Sequence, residues 1–259
     1  MKDPVRSLED DLGHAVRLPA EVTRVVSLVP SLTEALAATR PEALVGATDW
    51  CTHPPVLDVV RVRGTKNPDR AAIEALRPDL VVANQEENRA LDVERLRAAG
   101  VAVWVTRIET VDEAFASMRR LLTDALCWGV PPWLVEAEHA WAGPAPAPRG
   151  TVAVPIWRDP WMVVGPRTFT QDLLRRLGWT NAFDDPRPDA DRYPHVELSH
   201  LDHPDIDLVL LPDEPYVFSA DDGPEAFRRV PTRLVSGRLL TWYGPSLVAA
   251  HRVLSQDFA

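Results

Sequence analysis

The stretch Arg24–Pro55, RVVSLVPSLTEALAATRPEALVGATDWCTHPP, constrains the fold most. Val25–Val29 is a short apolar run rich in β-branched residues, long enough for one buried strand. Pro30 stops it, because proline cannot donate to a sheet ladder. Ser31 with Glu34 three residues on is a capping-box spacing, which predicts a helix from Leu32 to about Thr39 capped by the Ser31 side chain. Val45–Thr48 reads as the next strand, and Asp49–Pro55 leaves its C-terminal end. Parallel α/β sheets bind ligands at that end of their strands, so Ser31 and Trp50 are expected on one binding edge.

The same alternation continues. Asp69–Leu76 carries helix formers and ends at Pro78. Leu80–Ala83 is a strand followed by the polar loop Asn84–Asn88. Asp92–Ala99 is a helix closed by Gly100, and Val101–Thr106 is a fourth strand. Such alternation predicts a parallel sheet with right-handed crossovers, an α/β fold. Thr110 with Glu113 repeats the capping-box spacing ahead of an apolar stripe ending at Leu126. Trp133–Ala142 reads as a short helix. Gly143–Pro148 (GPAPAP) is a stiff spacer. The second half repeats the grammar, with strands at Thr151–Trp157, Leu208–Leu211 and Arg233–Val235. A helix capped by Thr168 with Gln171 follows the first of these, and Pro245–Leu254 closes the chain. The expected division is an N-terminal lobe at 1–109, a helical bridge and linker at 110–149, and a C-terminal lobe at 150–259. A ligand cleft between such lobes is the natural expectation.

Composition excludes some classes of function. A formal charge of −10 argues against nucleic acid, whose phosphates need a basic face. The two cysteines, Cys51 and Cys127, form neither a CxxC pair nor a disulfide framework. The first residues have no apolar segment of signal-peptide type, and no run reaches membrane-spanning length. These features predict a cytoplasmic protein. There is no GxSxG elbow, Walker A loop or GxGxxG, so no catalytic residue is assigned.

VVSLVPSLTE, VGATDWCTHPP, GTKNP, IEALRPDLVVA and YPHVELSHL resemble the vitamin B12 periplasmic binding proteins. These are class III, helical-backbone substrate-binding proteins of ABC importers. The resemblance runs from about Arg24 to Arg252. It implies two Rossmann-like lobes with parallel sheets joined by a bridging helix, and a ligand held between them. It places Trp50, Trp161 and Tyr193 at aromatic cleft positions, Thr65 where a cleft tryptophan is lost, and Arg238 at a polar cleft position. It implies reversible, non-covalent binding of a corrinoid or related metal chelate, with no intrinsic cofactor. The alternative reading is a cytoplasmic enzyme or chaperone for a tetrapyrrole, siderophore or metal on the same fold. Three features depart from the family. Ala71 and Ser199 stand where importer-bound members carry docking glutamates, with Asp69 and Glu197 the nearest acids, so permease docking is doubtful. No secretion signal or lipid-anchor cysteine is recognised. The bridging helix is short, about 15 Å at 1.5 Å per residue.

Nine tryptophans make aromatic stacking the central chemistry. Trp50, Trp157, Trp161, Tyr193, Trp242 and Tyr243 are the candidate aromatic wall, though large aromatics more often pack a core. Ser31, Lys66, Arg158 and Arg238 are the candidate polar contacts. Arg158 has Asp159 as an alternative partner. His195, His200 and His203, with Asp202 and Asp205, read as surface histidines because Pro194 and Pro204 break any continuous helix. Cys51 and His53 are a weaker soft-ligand pair. No metal site is assigned. Glu86–Glu87 and Asp221–Asp222 read as solvated loop carboxylates.

Overall fold

A computed structural model describes residues 5–144 and 146–257. The chain divides into two compact units. Unit 1 holds the described residues up to Ile108, with Asp112–Glu136 and Tyr243–Pro245. Unit 2 holds Glu109–Val111, Ala137–Trp242 and the described residues from Ser246 onward.

Unit 1 opens with the antiparallel hairpin β1 (Val5–Glu9) and β2 (Ala15–Pro19). Then follow β3 (Val25–Ser27), α1 (Pro30–Thr39), β4 (Leu44–Ala47) and β5 (Val60–Arg61). A small hairpin, β6 (Arg63–Gly64) and β7 (Asn67–Pro68), leads to α2 (Arg70–Ala75). Next come β8 (Leu80–Asn84), α3 (Ala90–Ala98), β9 (Val103–Thr106) and α4 (Val111–Arg119). The chain continues into a π-helical turn, Arg120–Ala125, and α5 (Pro132–Trp141). The parallel sheet has the order β5-β4-β3-β8-β9. Every residue of β3, β8 and β9 is buried, as expected for strands covered on both faces. Val26, Leu28, Ile73, Val81 and Leu96 form part of one core.

The helix after β3 starts two residues earlier than its spacing predicts. Pro30 occupies the first turn, where its missing N–H costs nothing, and Val29 takes the cap position without a side-chain bond. The expected Ser31 cap is therefore not formed. Ser31 lies inside the helix, and its Oγ is buried without a hydrogen-bond partner. Asp69 does cap α2, accepting the Ala72 N–H at 3.1 Å. The stripe expected to run unbroken to Leu126 is α-helical only to Arg119. Arg6 donates to the carbonyls of Asp124 and Ala125, at 2.5 and 2.9 Å, where the helical ladder ends.

Unit 2 contains β10 (Gly150–Ala153), the antiparallel hairpin β11 (Pro155–Trp157) and β12 (Met162–Val163), and α6 (Phe169–Arg176). It continues with β13 (Trp179–Asn181), α7 (Leu198–Leu201), β14 (Leu208–Pro212) and β15 (Thr232–Val235). Helices α8 (Gly237–Thr241) and α9 (Ser246–Asp257) end it. The parallel sheet has the order β13-β10-β14-β15. Thr168 caps α6 as its spacing predicts: Oγ1 accepts the Gln171 N–H at 3.2 Å, and Gln171 Oε1 accepts from Arg167 N at 2.8 Å.

Both units fasten the start of a central strand with one aspartate. Asp79 Oδ2 accepts the N–H groups of Thr23 and Arg24, each at 2.9 Å, ahead of β3. Asp207 Oδ2 accepts the Thr151 N–H in β10 at 2.7 Å. The repeated grammar of the two halves thus reaches individual hydrogen bonds.

Asp172, on α6, gives unit 2 an acid-sensitive element. Burial pushes its carboxyl up, but the Val111 N–H and the guanidiniums of Arg175 and Arg176 outweigh burial and bring it below its ordinary value of 3.8. A carboxylate depressed in the folded state stabilises above its unfolded value and loses that contribution as pH falls through the folded value. Acid unfolding below about pH 4 should therefore be blunted in Asp172→Asn, which is less stable than the parent at neutral pH. Melting curves of both proteins from pH 7 to pH 2.5 check this.

Candidate functional site

In unit 1 the C-terminal strand edge is built by loops tied to one another. Asn88 Nδ2 donates to the carbonyls of Leu28, after β3, at 3.3 Å and Thr65, in the β6–β7 turn, at 3.0 Å. Asn84 Nδ2 donates to Thr106 Oγ1 at 3.1 Å, joining the ends of β8 and β9. Lys66 Nζ donates to the Glu86 carbonyl at 2.6 Å. Its ammonium, expected to face an anionic ligand, thus closes one loop upon another, although the side chain remains exposed.

Trp50 stands on this edge with 66% of its surface exposed. An exposed indole at a strand edge offers a flat surface on which a ring ligand can stack. Gly64 allows this placement: a Cβ there would lie 3.2 Å from Trp50 Nε1 and 2.5 Å from Asn67 Oδ1. Beneath the tryptophan, Cys51 is buried and bonded. Thr33 Oγ1 donates to its sulfur at 3.0 Å, and Thr48 Oγ1 lies 3.1 Å away. Burial pushes the thiol above its ordinary value, against the pull of those hydroxyls. Cys51 therefore anchors the turn that presents Trp50. Native protein should show one thiol reactive towards a disulfide reagent, the exposed Cys127, and a second only after unfolding. Counting released thiolate before and after denaturant checks this.

In unit 2 the β11–β12 hairpin and the loop after β14 form an aromatic face. Trp157 is 47% exposed and meets Tyr216 edge-on, with ring centroids 5.6 Å apart. Tyr216 leans on Phe218 at 4.7 Å. Phe218 is parallel to Trp161 at 6.0 Å, and Phe227 meets Trp161 edge-on at 5.6 Å. Trp161, expected in the ligand wall, retains only 8% exposure and belongs to the core of this unit. The three residues between the two tryptophans, Arg158–Pro160, turn one ring outward and the other inward.

Arg158 joins this face through charge. Its guanidinium lies 5.5 Å over the Trp161 ring, bonds Asp222, and reaches Glu225 at 2.5 Å. Asp159 is a more distant partner at 3.7 Å. The bond to Glu225 holds Arg158 above its ordinary value, and Arg158 in turn holds Glu225 below its own. Tyr216 donates to Asp222 Oδ2 at 2.6 Å, and that bond pushes the phenol up. Asp222, expected as a solvated carboxylate, is thus the hub of the cluster. Tyr216, Asp222 and Glu225 are the residues that sequence reasoning missed. Their only sequence signal is position, since they lie in the long loop after the C-terminal end of β14.

The other candidates are distributed differently. Arg238 lies 5.8 Å over the Trp242 ring, on the edge after β15. Trp242 and Tyr243, expected in the aromatic wall, are buried, at 7% and 5% exposure. Ser31, a candidate polar contact, is 2% exposed. Tyr193 is half-buried on the segment that pairs with β12, where the Val163 N–H donates to the Pro194 carbonyl at 3.1 Å. His203 faces Asp205 at 3.4 Å. Among the described residues no cluster of three or more His, Cys, Asp or Glu side chains is arranged to hold a metal ion. Ala71 and Ser199 are exposed, and Asp69 is occupied as the α2 cap. No helix among the described residues is long and apolar enough to cross a membrane. A surface pocket of about 370 Å³ in unit 2, lined by Arg167, Thr168, Asp172 and Asp185 among others, shares no residue with the aromatic face.

No family model matches the chain. The vitamin B12-binding protein of Pectobacterium carotovorum is 33% identical over 102 residues, which are 39% of this chain and 37% of that protein. A Vibrio cholerae vitamin B12-binding protein is 33% identical over 97 residues, 37% of this chain and 34% of that one. The likeness thus spans little more than a third of the length of these curated relatives, which are binding proteins rather than enzymes. Among solved structures, the periplasmic vitamin B12 binding protein BtuF of Vibrio cholerae superposes with a TM-score of 0.71 at 18% identity, covering 92% of this chain and 96% of that one. The periplasmic heme-binding protein RhuT from Roseiflexus sp. RS-1 does so with a TM-score of 0.71 at 21% identity, covering 92% and 98%. The cytoplasmic location expected from the first residues is corrected by these findings, because the similar proteins are periplasmic and point to that compartment. In its α/β fold, and in part of its sequence, this chain resembles the class III substrate-binding proteins of ABC importers that include vitamin B12- and haem-binding members.

Proposed function

We propose that this chain binds a corrinoid or a closely related metal chelate, reversibly and without covalent chemistry, on the fold of importer substrate-binding proteins. The observation that carries the reading is the exposure of one large aromatic ring at the C-terminal strand edge of each unit, Trp50 and Trp157. Flat macrocycles offer a wide apolar face, and stacking on an indole buries both surfaces while fixing the ring plane. Lys66, Tyr193 and Arg238 are the candidate polar contacts, while the Arg158 guanidinium is held by Asp222 and Glu225. The partial likeness to vitamin B12-binding proteins supports the corrinoid over other chelates. The ligand is cargo, and no resident cofactor is invoked. Ala71 and Ser199, exposed and neutral, argue against permease docking through paired glutamates.

Isothermal titration against cobalamin, cobinamide, haem and a ferric siderophore tests the reading. Saturable binding of a corrinoid at micromolar concentration or below is expected. Absence of heat and of any absorption change with all four, at high micromolar ligand, would overturn it.

A further inference from the structure

The aromatic face of unit 2 carries its own charge pattern. Arg158 is the cation next to Trp157, yet Asp222 and Glu225 both bond its guanidinium and Asp159 stands at 3.7 Å. One cation against three carboxylates leaves a formal charge of −2 beside the exposed ring. The carboxylates are open to a ligand, since the Asp222 and Glu225 side chains are 42% and 49% exposed. The Tyr216 hydroxyl directs its proton to Asp222 at 2.6 Å. It therefore offers an incoming group only an acceptor lone pair. A face made of acceptors and surplus negative charge pairs with N–H donors and repels carboxylates.

We propose that Asp222 and Glu225 set the charge specificity of this face, so that it takes ring ligands edged with amides and rejects those edged with carboxylates. The proposal rests on the binding function above and narrows its ligand class. The two residues act by occupying Arg158, which would otherwise fork onto a ligand carboxylate.

The test compares ligands that share a ring and differ in edge charge. One pair is cobalamin and a cobalamin monocarboxylic acid, in which one peripheral amide is hydrolysed. The other is haemin and its dimethyl ester. At low salt each added carboxylate is expected to weaken binding about three- to tenfold, and added salt should shrink the difference. Asp222→Asn combined with Glu225→Gln frees Arg158 and should abolish or reverse the preference. Glu225→Gln alone, which leaves the Tyr216–Asp222 bond intact, should weaken the preference and serves if the double variant does not fold. Equal affinity for amide and acid in the parent protein overturns the proposal while leaving the binding function standing. So does a preference that neither variant alters. Failure of all four ligands to bind overturns the binding function and this proposal with it.

Discussion

Trp157→Ala and Trp50→Ala are each expected to weaken corrinoid binding by about tenfold, with little change in melting temperature. Trp50 is 66% and Trp157 47% exposed and neither is a buried core residue, so truncation removes a stacking surface without opening a cavity in a core. Trp161→Ala, only four residues from Trp157, should behave in the opposite way. Its ring is packed between Phe218, Phe227 and the Arg158 guanidinium. Deleting it should cost about 3–5 kcal/mol of stability. Affinity by titration and stability by denaturant unfolding, measured on all three variants, check the assignment. A Trp157→Ala protein that binds at full strength would remove this face from the ligand site.

The second large effect concerns the amino-terminal hairpin. Asp10 is 2% exposed and accepts four hydrogen bonds. They come from the N–H groups of Leu12, His14 and Val105 at 3.0, 2.9 and 3.2 Å, and from Arg97 Nη2 at 2.7 Å. The carboxylate shapes the turn between β1 and β2 and fastens it to β9. Next to it, Asp11 accepts from Ser117 Oγ at 2.5 Å and bonds Arg120, tying the same turn to α4 and its π-helical extension. Asp10→Ala strands a largely buried guanidinium and orphans three amides, so a loss of about 3–5 kcal/mol is expected. Asp10→Asn retains an acceptor but not the charge and should lose less. Urea unfolding of the two variants ranks them, and equal stability of Asp10→Ala and the parent would refute the role given to this turn.

Much of the fold is legible in the chain because its signals are local. The β-branched runs of β3, β8 and β9, the Thr168 cap and the Gly100 stop each act within a few residues. The amino-terminal hairpin has no such local signal. Its fastening depends on contacts to Val105 and Arg120, about a hundred positions on, which no local pattern records. The Ser31 spacing was misleading, because Pro30 competes for the first helical turn and wins.

The site was legible in type more than in detail. Aromatics at strand ends were visible as a class, but exposure separates Trp157 from Trp161 and depends on which way a short hairpin turns. The Arg158–Asp222 bond spans 64 residues, so Asp222 looked like solvated charge. Cys51, a weak soft-ligand candidate from its neighbour His53, is held by two threonines on other elements.

The most direct measurement follows the indole N–H resonances of the nine tryptophans while cobalamin is added to nitrogen-labelled protein. The account predicts that the signals of Trp50 and Trp157, assigned by substitution, shift or broaden first and saturate together with the binding heat. Saturable binding that leaves both signals unmoved would contradict it.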